Sequence, residues 1–227
     1  MNNYLRLIIT FLLLFLLQGC TKENKTNWLT ENSCDLPCWN GVIVGDTTKT
    51  ELLLKINNLT IIDQNKTRTY VEPWKIFTGS SFFTYYNRKI HGTASYLNEI
   101  TEELTFSGEL RTTFGDIVSE VGYPDYVIVI PLFNPTSNLD VTALYPTLGI
   151  AFSYDIRTIP KRMREEISPD IPIDYVTIFD PNIYDALVDA SLFGQSLYNG
   201  EETRESLRPW DGYGVLLEKY PAAKKQR

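Results

Sequence analysis

Two short stretches of the chain carry a helical period of apolar residues, and the segments after each carry a strand-like one. The first stretch is Thr48-Lys49-Thr50-Glu51-Leu52-Leu53-Leu54-Lys55-Ile56-Asn57, and the second is Thr113-Phe114-Gly115-Asp116-Ile117-Val118-Ser119-Glu120-Val121-Gly122. In each, a threonine stands three residues before an acid. That spacing lets the hydroxyl accept from the third helical amide while the acid reaches back to the cap. Apolar residues then coincide at the fourth, fifth and eighth positions after the threonine: Leu52, Leu53 and Ile56 against Ile117, Val118 and Val121. Those spacings fall on one helix face. Asn57 and Gly122 follow as residues suited to a left-handed stop, and Pro124 prevents the second helix from continuing. The two copies are offset by 65 residues.

After the first helix, Tyr70 to Phe77, Ser81 to Ile90 and Thr93 to Phe106 are rich in aromatic and β-branched residues, with Gly79 and Gly92 between them. Tyr126 to Ile130, Thr142 to Tyr154 and Tyr175 to Phe179 repeat that composition after the second helix, and Pro146 and Gly149 bend the middle one. The pattern predicts an α+β fold of two tandem lobes, residues 33–108 and 109–227, each a short helix packed on an antiparallel sheet. Asp180-Pro181 opens a further helix, amphipathic from Ile183 to Phe193. The tail from Tyr198 is polar and then gathers at Pro209-Trp210-Asp211-Gly212-Tyr213-Gly214.

The first nineteen residues follow a different rule. Arg6 precedes an apolar run, Leu7 to Leu17, broken only by Thr10 and far shorter than the roughly 20 residues that span a bilayer as a helix. The run ends in Leu17-Gln18-Gly19-Cys20, which resembles the lipobox of bacterial lipoproteins. The resemblance implies a signal peptide over residues 1–19, cut before Cys20, and lipid on the Cys20 thiol. Residues 20–32 are polar without apolar periodicity, apart from Trp28 and Leu29, and are expected to be a tether.

Three cysteines are an awkward number for an exported protein. With Cys20 acylated, Cys34 and Cys38 remain as an even pair, and Cys34-Asp35-Leu36-Pro37-Cys38 is short enough to close as a disulfide. A metal site is disfavoured because zinc wants four ligands and His91 is the one histidine of the chain. The formal charge of −7, one unit more negative without Arg6, argues against nucleic acid and against electrostatic docking on anionic lipid. Membrane attachment is therefore expected from the lipid anchor.

A search for catalytic chemistry returns no set. His91 sits in Lys89-Ile90-His91-Gly92, read as a solvated β-turn, with no nucleophile motif beside it. Glu102-Glu103 and Glu165-Glu166 are adjacent carboxylates, but adjacency does not set the separation of about 5 to 9 Å that glycoside hydrolysis needs. No phosphate-cradling glycine loop is present. Lys161-Arg162-Met163-Arg164 is read as an exposed connection. Aromatic residues make up 13% of the chain, and Trp39, Trp74 and Trp210 lie beside Gly or Pro. Trp74, Trp210 and Tyr213 are the candidate binding aromatics, with core filling or docking as a lid as the competing roles.

The repeated Gly-x-x-Thr-x-x-Glu helix, carried by Gly45, Thr48 and Glu51 and again by Thr113, Gly122 and Pro124, resembles the BamE (SmpA/OmlA) type of small lipoprotein. It is also similar to the β-lactamase-inhibitory-protein fold. The resemblance covers two stretches of about 15 residues and implies a fold and a protein-binding habit. The function expected is a non-catalytic, lipid-anchored envelope protein with a protein partner, without cofactor or metal, facing outside the cytoplasm on the cell membrane or the outer membrane. The alternative is a surface lipoprotein that binds a glycan or small ligand. Replacing Cys20 by Ser is expected to abolish fatty-acid labelling and the shift to the mature form on a gel. If wild type and variant label and migrate alike, the address is wrong.

Overall fold

The structure, a computed structural model, describes residues 34–60, 62–70, 77, 79–84, 89–131, 139–189 and 200–222. The expected signal peptide (1–19), the Cys20 lipidation site, the tether (20–32) and Trp74 lie outside them. Both expected helices are present: α1, Lys49–Asn58, and α2, Phe114–Val121. Each starts on the expected capping box. Thr48 Oγ1 accepts from the Glu51 amide (3.3 Å) and the Glu51 carboxylate accepts from the Thr48 amide (3.0 Å). Thr113 and Asp116 repeat the pair at 3.2 and 2.9 Å. Leu52, Ile56, Phe114 and Ile117 are buried. The stop at Asn57 needs correction: α1 runs on to Asn58, and the Leu59 amide donates to the Ile56 carbonyl in extended backbone. Gly122 does take a positive φ, +88°, and its amide donates to the Val118 carbonyl. The Tyr145 hydroxyl then donates to the Gly122 carbonyl (2.8 Å) and pins that end of the helix.

A small hairpin opens the fold, β1 (Cys38–Trp39) with β2 (Val42–Ile43). After α1 come β3 (Arg68–Tyr70), β4 (Gly79–Thr84), β5 (Ile90–Leu97) and β6 (Ile100–Gly108). After α2 come β7 (Tyr126–Pro131), β8 (Leu139–Tyr145), β9 (Ile150–Asp155), a two-residue β10 (Glu166–Ile167) and β11 (Tyr175–Phe179). The span Thr93 to Phe106, expected as one strand, is a hairpin. Asn98 and Glu99 take φ of 50° and 66°, the left-handed pair that a two-residue turn demands. Asn adopts that region readily but Glu does not, so the turn carried no clear composition mark. The span Thr142 to Tyr154 splits at Pro146–Leu148, where Gly149 at φ +63° turns the chain into β9.

These strands build one nine-stranded sheet in the order β12-β7-β8-β9-β11-β6-β5-β4-β3, with β12 (Arg208–Pro209) from the tail on one edge. Every pairing is antiparallel. The α+β class holds, but in place of two separate lobes there is one sheet, in which two four-stranded meanders, β3 to β6 and β7-β8-β9-β11, are hydrogen-bonded edge to edge through β6 and β11. Each helix docks on its meander through the same two backbone bonds. Lys49 N donates to Glu99 O and Thr101 N to Thr47 O; Phe114 N donates to Ile171 O and Ile173 N to Thr112 O. In that correspondence β6 and β11 residues 72 positions apart are equivalent. Thr105 and Thr177 are 72 apart and also pair with each other, hydroxyl to hydroxyl at 3.1 Å. A pseudo-twofold axis therefore passes between them.

The main core lies on the helix side and runs unbroken from Trp39, Phe83 and Phe106 in the first meander to Phe152, Val141 and Ile117 in the second. A smaller cluster on the other side joins Ile128, Ile130, Leu144, Ala151 and Phe179 to Leu187 and Val188. Those two come from α3 (Tyr184–Asp189), which follows the single turn Pro181–Ile183 capped by Asp180 as expected. The rest of the Ile183–Phe193 span lies outside the described residues. The last helices are α4 (Gly200–Ser206) and α5 (Leu216–Lys219), and β13 (Gly214–Val215) pairs with β10. Among the described residues no helix is long and apolar enough to cross a membrane.

Cys34 forms a disulfide with Cys38, the first residue of β1. A loop this short stabilises by about 2 kcal/mol. Because the two capping boxes lie in separate repeats, Thr48→Ala and Thr113→Ala should each cost about 1 kcal/mol, and the double variant the sum. Urea denaturation of the three variants checks this; a double variant no worse than either single one would mean that the helices do not share one cooperative fold.

Candidate functional site

The aromatic tail is docked rather than displayed. The Trp210 amide donates to the Asp125 carbonyl (3.1 Å), and its ring stacks on Phe114 at 5.6 Å and on Tyr220 at 5.9 Å. Tyr213 meets Trp210 edge-on at 5.3 Å and Phe114 at 5.8 Å. The buried Tyr220 hydroxyl accepts from Asp211 N and donates to Gly212 O, which locks the turn between them. Of the two alternatives for this segment, docking back is the one observed, against the start of α2. The exposed ring is Tyr123, 64% accessible and stacked on Trp210 at 5.8 Å, which the sequence did not single out. Trp39 is buried against Phe83 and Phe106.

His91 needs correction as well. It lies inside β5, paired with Ser107 and Thr84, not in a turn, and its side chain is exposed. That placement puts it in a row of polar residues crossing the sheet on the face away from α1 and α2. His91 opposes Ser107, Ser107 opposes Tyr175, Tyr175 opposes Ser153, and Ser153 opposes Thr142. A second row runs Thr93, Thr105, Thr177. Tyr175 is 46% exposed, and Thr93, Thr105, Ser107, Ser153 and Thr177 are half-buried. Side chains alternate faces along a strand, so Thr93/Ser95 and Thr105/Ser107 share this side while Ala94, Leu104 and Phe106 fill the core. The alternation was legible in the sequence; only the sheet order brings the five strands together.

Carboxyls edge this face. Glu103 lies two residues before Thr105, whose hydroxyl donates to it (3.0 Å), so the shared Thr105–Thr177 proton comes from Thr177. Packed protein around Glu103 raises its carboxyl to about 7, against the lowering from that hydrogen bond. Its neighbour Glu102 is buried beside Asp180, and burial first and Asp180 second raise it. The adjacent glutamates thus meet different surroundings. Glu165 and Glu166 are exposed. At the end of β8 and β9, Asp140 opposes Asp155, and Asp174 accepts from Asp155 N (2.9 Å) and Thr158 Oγ1 (2.7 Å). Burial, then Asp155 and Asp174, push Asp140 up to about 7. Asp155 stays ionised below its ordinary value, because Arg157 binds both its oxygens and offsets the cost of burial. Among the described residues no three His, Cys, Asp or Glu side chains are grouped to hold a metal ion.

No family model, curated protein or solved structure matches this chain. Its site must be read from its own chemistry: hydroxyls in register, two carboxyls that titrate near neutrality, and one exposed histidine.

A carboxyl raised in the fold binds its proton more tightly there than in the unfolded chain. The stability it supports is full below the unfolded value near 4 and is lost as pH climbs through about 7. Melting temperature should therefore fall between pH 5 and pH 8. Asp140→Asn should remove a large part of that fall, a difference on the order of a few kcal/mol at pH 8, and adding Glu103→Gln should remove most of the rest. An unchanged slope in the double variant would show that these groups titrate normally.

Proposed function

We propose that this chain is an exported lipoprotein, held on a membrane through acylated Cys20, whose folded part is a non-catalytic module that binds another protein through the polar face of its sheet. The observation that carries the reading is the pair of transverse hydroxyl rows, His91-Ser107-Tyr175-Ser153 and Thr93-Thr105-Thr177, accessible on the side opposite the capped helices. Such a surface offers many modest hydrogen bonds spread over a broad area and an aromatic anchor in Tyr175. A protein partner, burying about 800 Å² a side, uses that kind of surface. A small substrate instead needs groups that converge on a few atoms. The doubled helix-and-meander unit also supports the implied kinship with the BamE and β-lactamase-inhibitory-protein folds.

The glycan-binding alternative is favoured by one feature, the exposed Tyr123 ring. Trp210 contributes little to it, since Phe114, Tyr123 and Tyr220 occupy its surroundings. A photo-crosslinking amino acid placed at Thr105 or Tyr175 in the full-length protein, in intact cells, tests the choice. The expected result is one discrete protein adduct at both positions, absent from Leu54 on the exposed side of α1, and lost when Thr105→Arg is combined with the Tyr175 probe. Repeated captures with no adduct, or one equally strong from Leu54, would overturn the reading.

A further inference from the structure

A cleft of about 440 Å³ opens on the helix side of the sheet, away from the hydroxyl rows. Its floor is Leu139, Ile156 and Leu216, all buried in the main core. Its walls are Val215 and Leu217, and these are 42% and 45% exposed, so the aliphatic lining continues out to solvent. The mouth carries Lys161, Arg164 and Glu165. Arg164 is fixed there: Nε donates to the Ile159 carbonyl and Nη2 to the Arg157 carbonyl, each at 3.2 Å. Glu165 is tied to the opposite wall by its backbone, which accepts from Leu216 N (2.8 Å). The mouth thus has an excess of one positive charge in a chain whose balance is −7.

We infer that this cleft binds a single-chain anionic amphiphile, its acyl chain against Leu139, Ile156, Val215, Leu216 and Leu217 and its head group at Lys161 and Arg164. The volume falls within the range of small-molecule sites, about 300–1,000 Å³. The lining matches that ligand: five aliphatic side chains, no aromatic or hydroxyl to orient a sugar, and two cations against one acid. An uncharged lipid would gain nothing from the excess positive charge of the lining, and a cationic one would be repelled by it. The long stems of Lys161 and Arg164 also let their charges reach a head group while their methylenes extend the apolar wall.

The test uses the full-length protein in isolated membranes, photolabelled with a diazirine-bearing palmitate and mapped by mass spectrometry. Label is expected on residues 215–217, displaced by excess unlabelled palmitate, and weak for the corresponding fatty alcohol. Lys161→Glu and Leu217→Glu, both at exposed positions, should each lower labelling about fivefold with melting unchanged. Thr105→Arg on the opposite face should leave it untouched, which separates this site from the proposed protein-binding face. Label that cannot be displaced marks ordinary contact with the bilayer and overturns the inference. So does equal labelling by the alcohol, or retention in Lys161→Glu.

Discussion

The pairing of β6 with β11 is the contact on which the rest of this molecule depends. A four-stranded meander with one helix of eight to ten residues leaves a sheet edge open and covers little of its own apolar face. Joining the two meanders removes an edge from each. It also brings Leu104 and Phe106 beside Val176 and Ile178, so two thin cores become a single layer. The join is antiparallel and passes through equivalent residues, so the arrangement on one side of Thr105–Thr177 is repeated, turned by half a revolution, on the other. The matched backbone bonds from Thr47/Lys49 and Thr112/Phe114 then set both helices at the same height on the same face.

The repeats diverge where their face away from the helices is covered. Thr93 opposes Thr105 across β5 and β6, but the corresponding partner of Thr177 across β9 and β11 is Ala151. Ser107 has Phe179 as its counterpart in β11. These exchanges make one end of the second repeat's back face apolar, where α3 lies with Leu187 and Val188, while Tyr175, Thr177 and Ser153 keep the other end polar. The first repeat keeps hydroxyls, which no apolar helix would cover without leaving them unsatisfied. The boundary between the covered and the accessible part of this face therefore follows from a few apolar-for-hydroxyl differences, and the candidate face spans the pseudo-twofold axis.

What could be read in advance was local. A capping box is set by residues three apart, so Thr48-Glu51 and Thr113-Asp116 declared both helices and their repeat. Cys34 and Cys38 are close enough in sequence for chain geometry to pair them. Strand composition marked where extended chain runs, but the Asn98-Glu99 turn was hidden by a glutamate in a conformation it seldom takes. Sheet continuity was not legible, because β11 lies beside β6 only after some 70 intervening residues have folded. For the same reason Trp210 looked like a surface cluster: its partners Phe114 and Tyr123 are nearly a hundred positions away. The cleft was beyond reach for a similar cause, since it needs Leu139, Lys161 and Leu216 together.

The geometry of the N-terminal end ties the proposed address to both candidate surfaces. Trp39, five residues beyond Cys34, is buried between Phe83 and Phe106, and Val44 N and Gly45 N bond to Pro37 O and Thr101 O. The first described segment is therefore fastened into the core of the first repeat, and the disulfide stiffens the turn just ahead of it. Residues 20–33 can span at most about 50 Å of contour, roughly three times the radius of gyration, about 16 Å, of a domain this size. On the proposed anchor, the domain can turn either face toward the bilayer but cannot leave its neighbourhood. A partner for the hydroxyl rows must then itself reside at the envelope. On the same proposed anchor the cleft would meet membrane amphiphiles at the high local concentration that tethering imposes, so even a weak site there would be substantially filled.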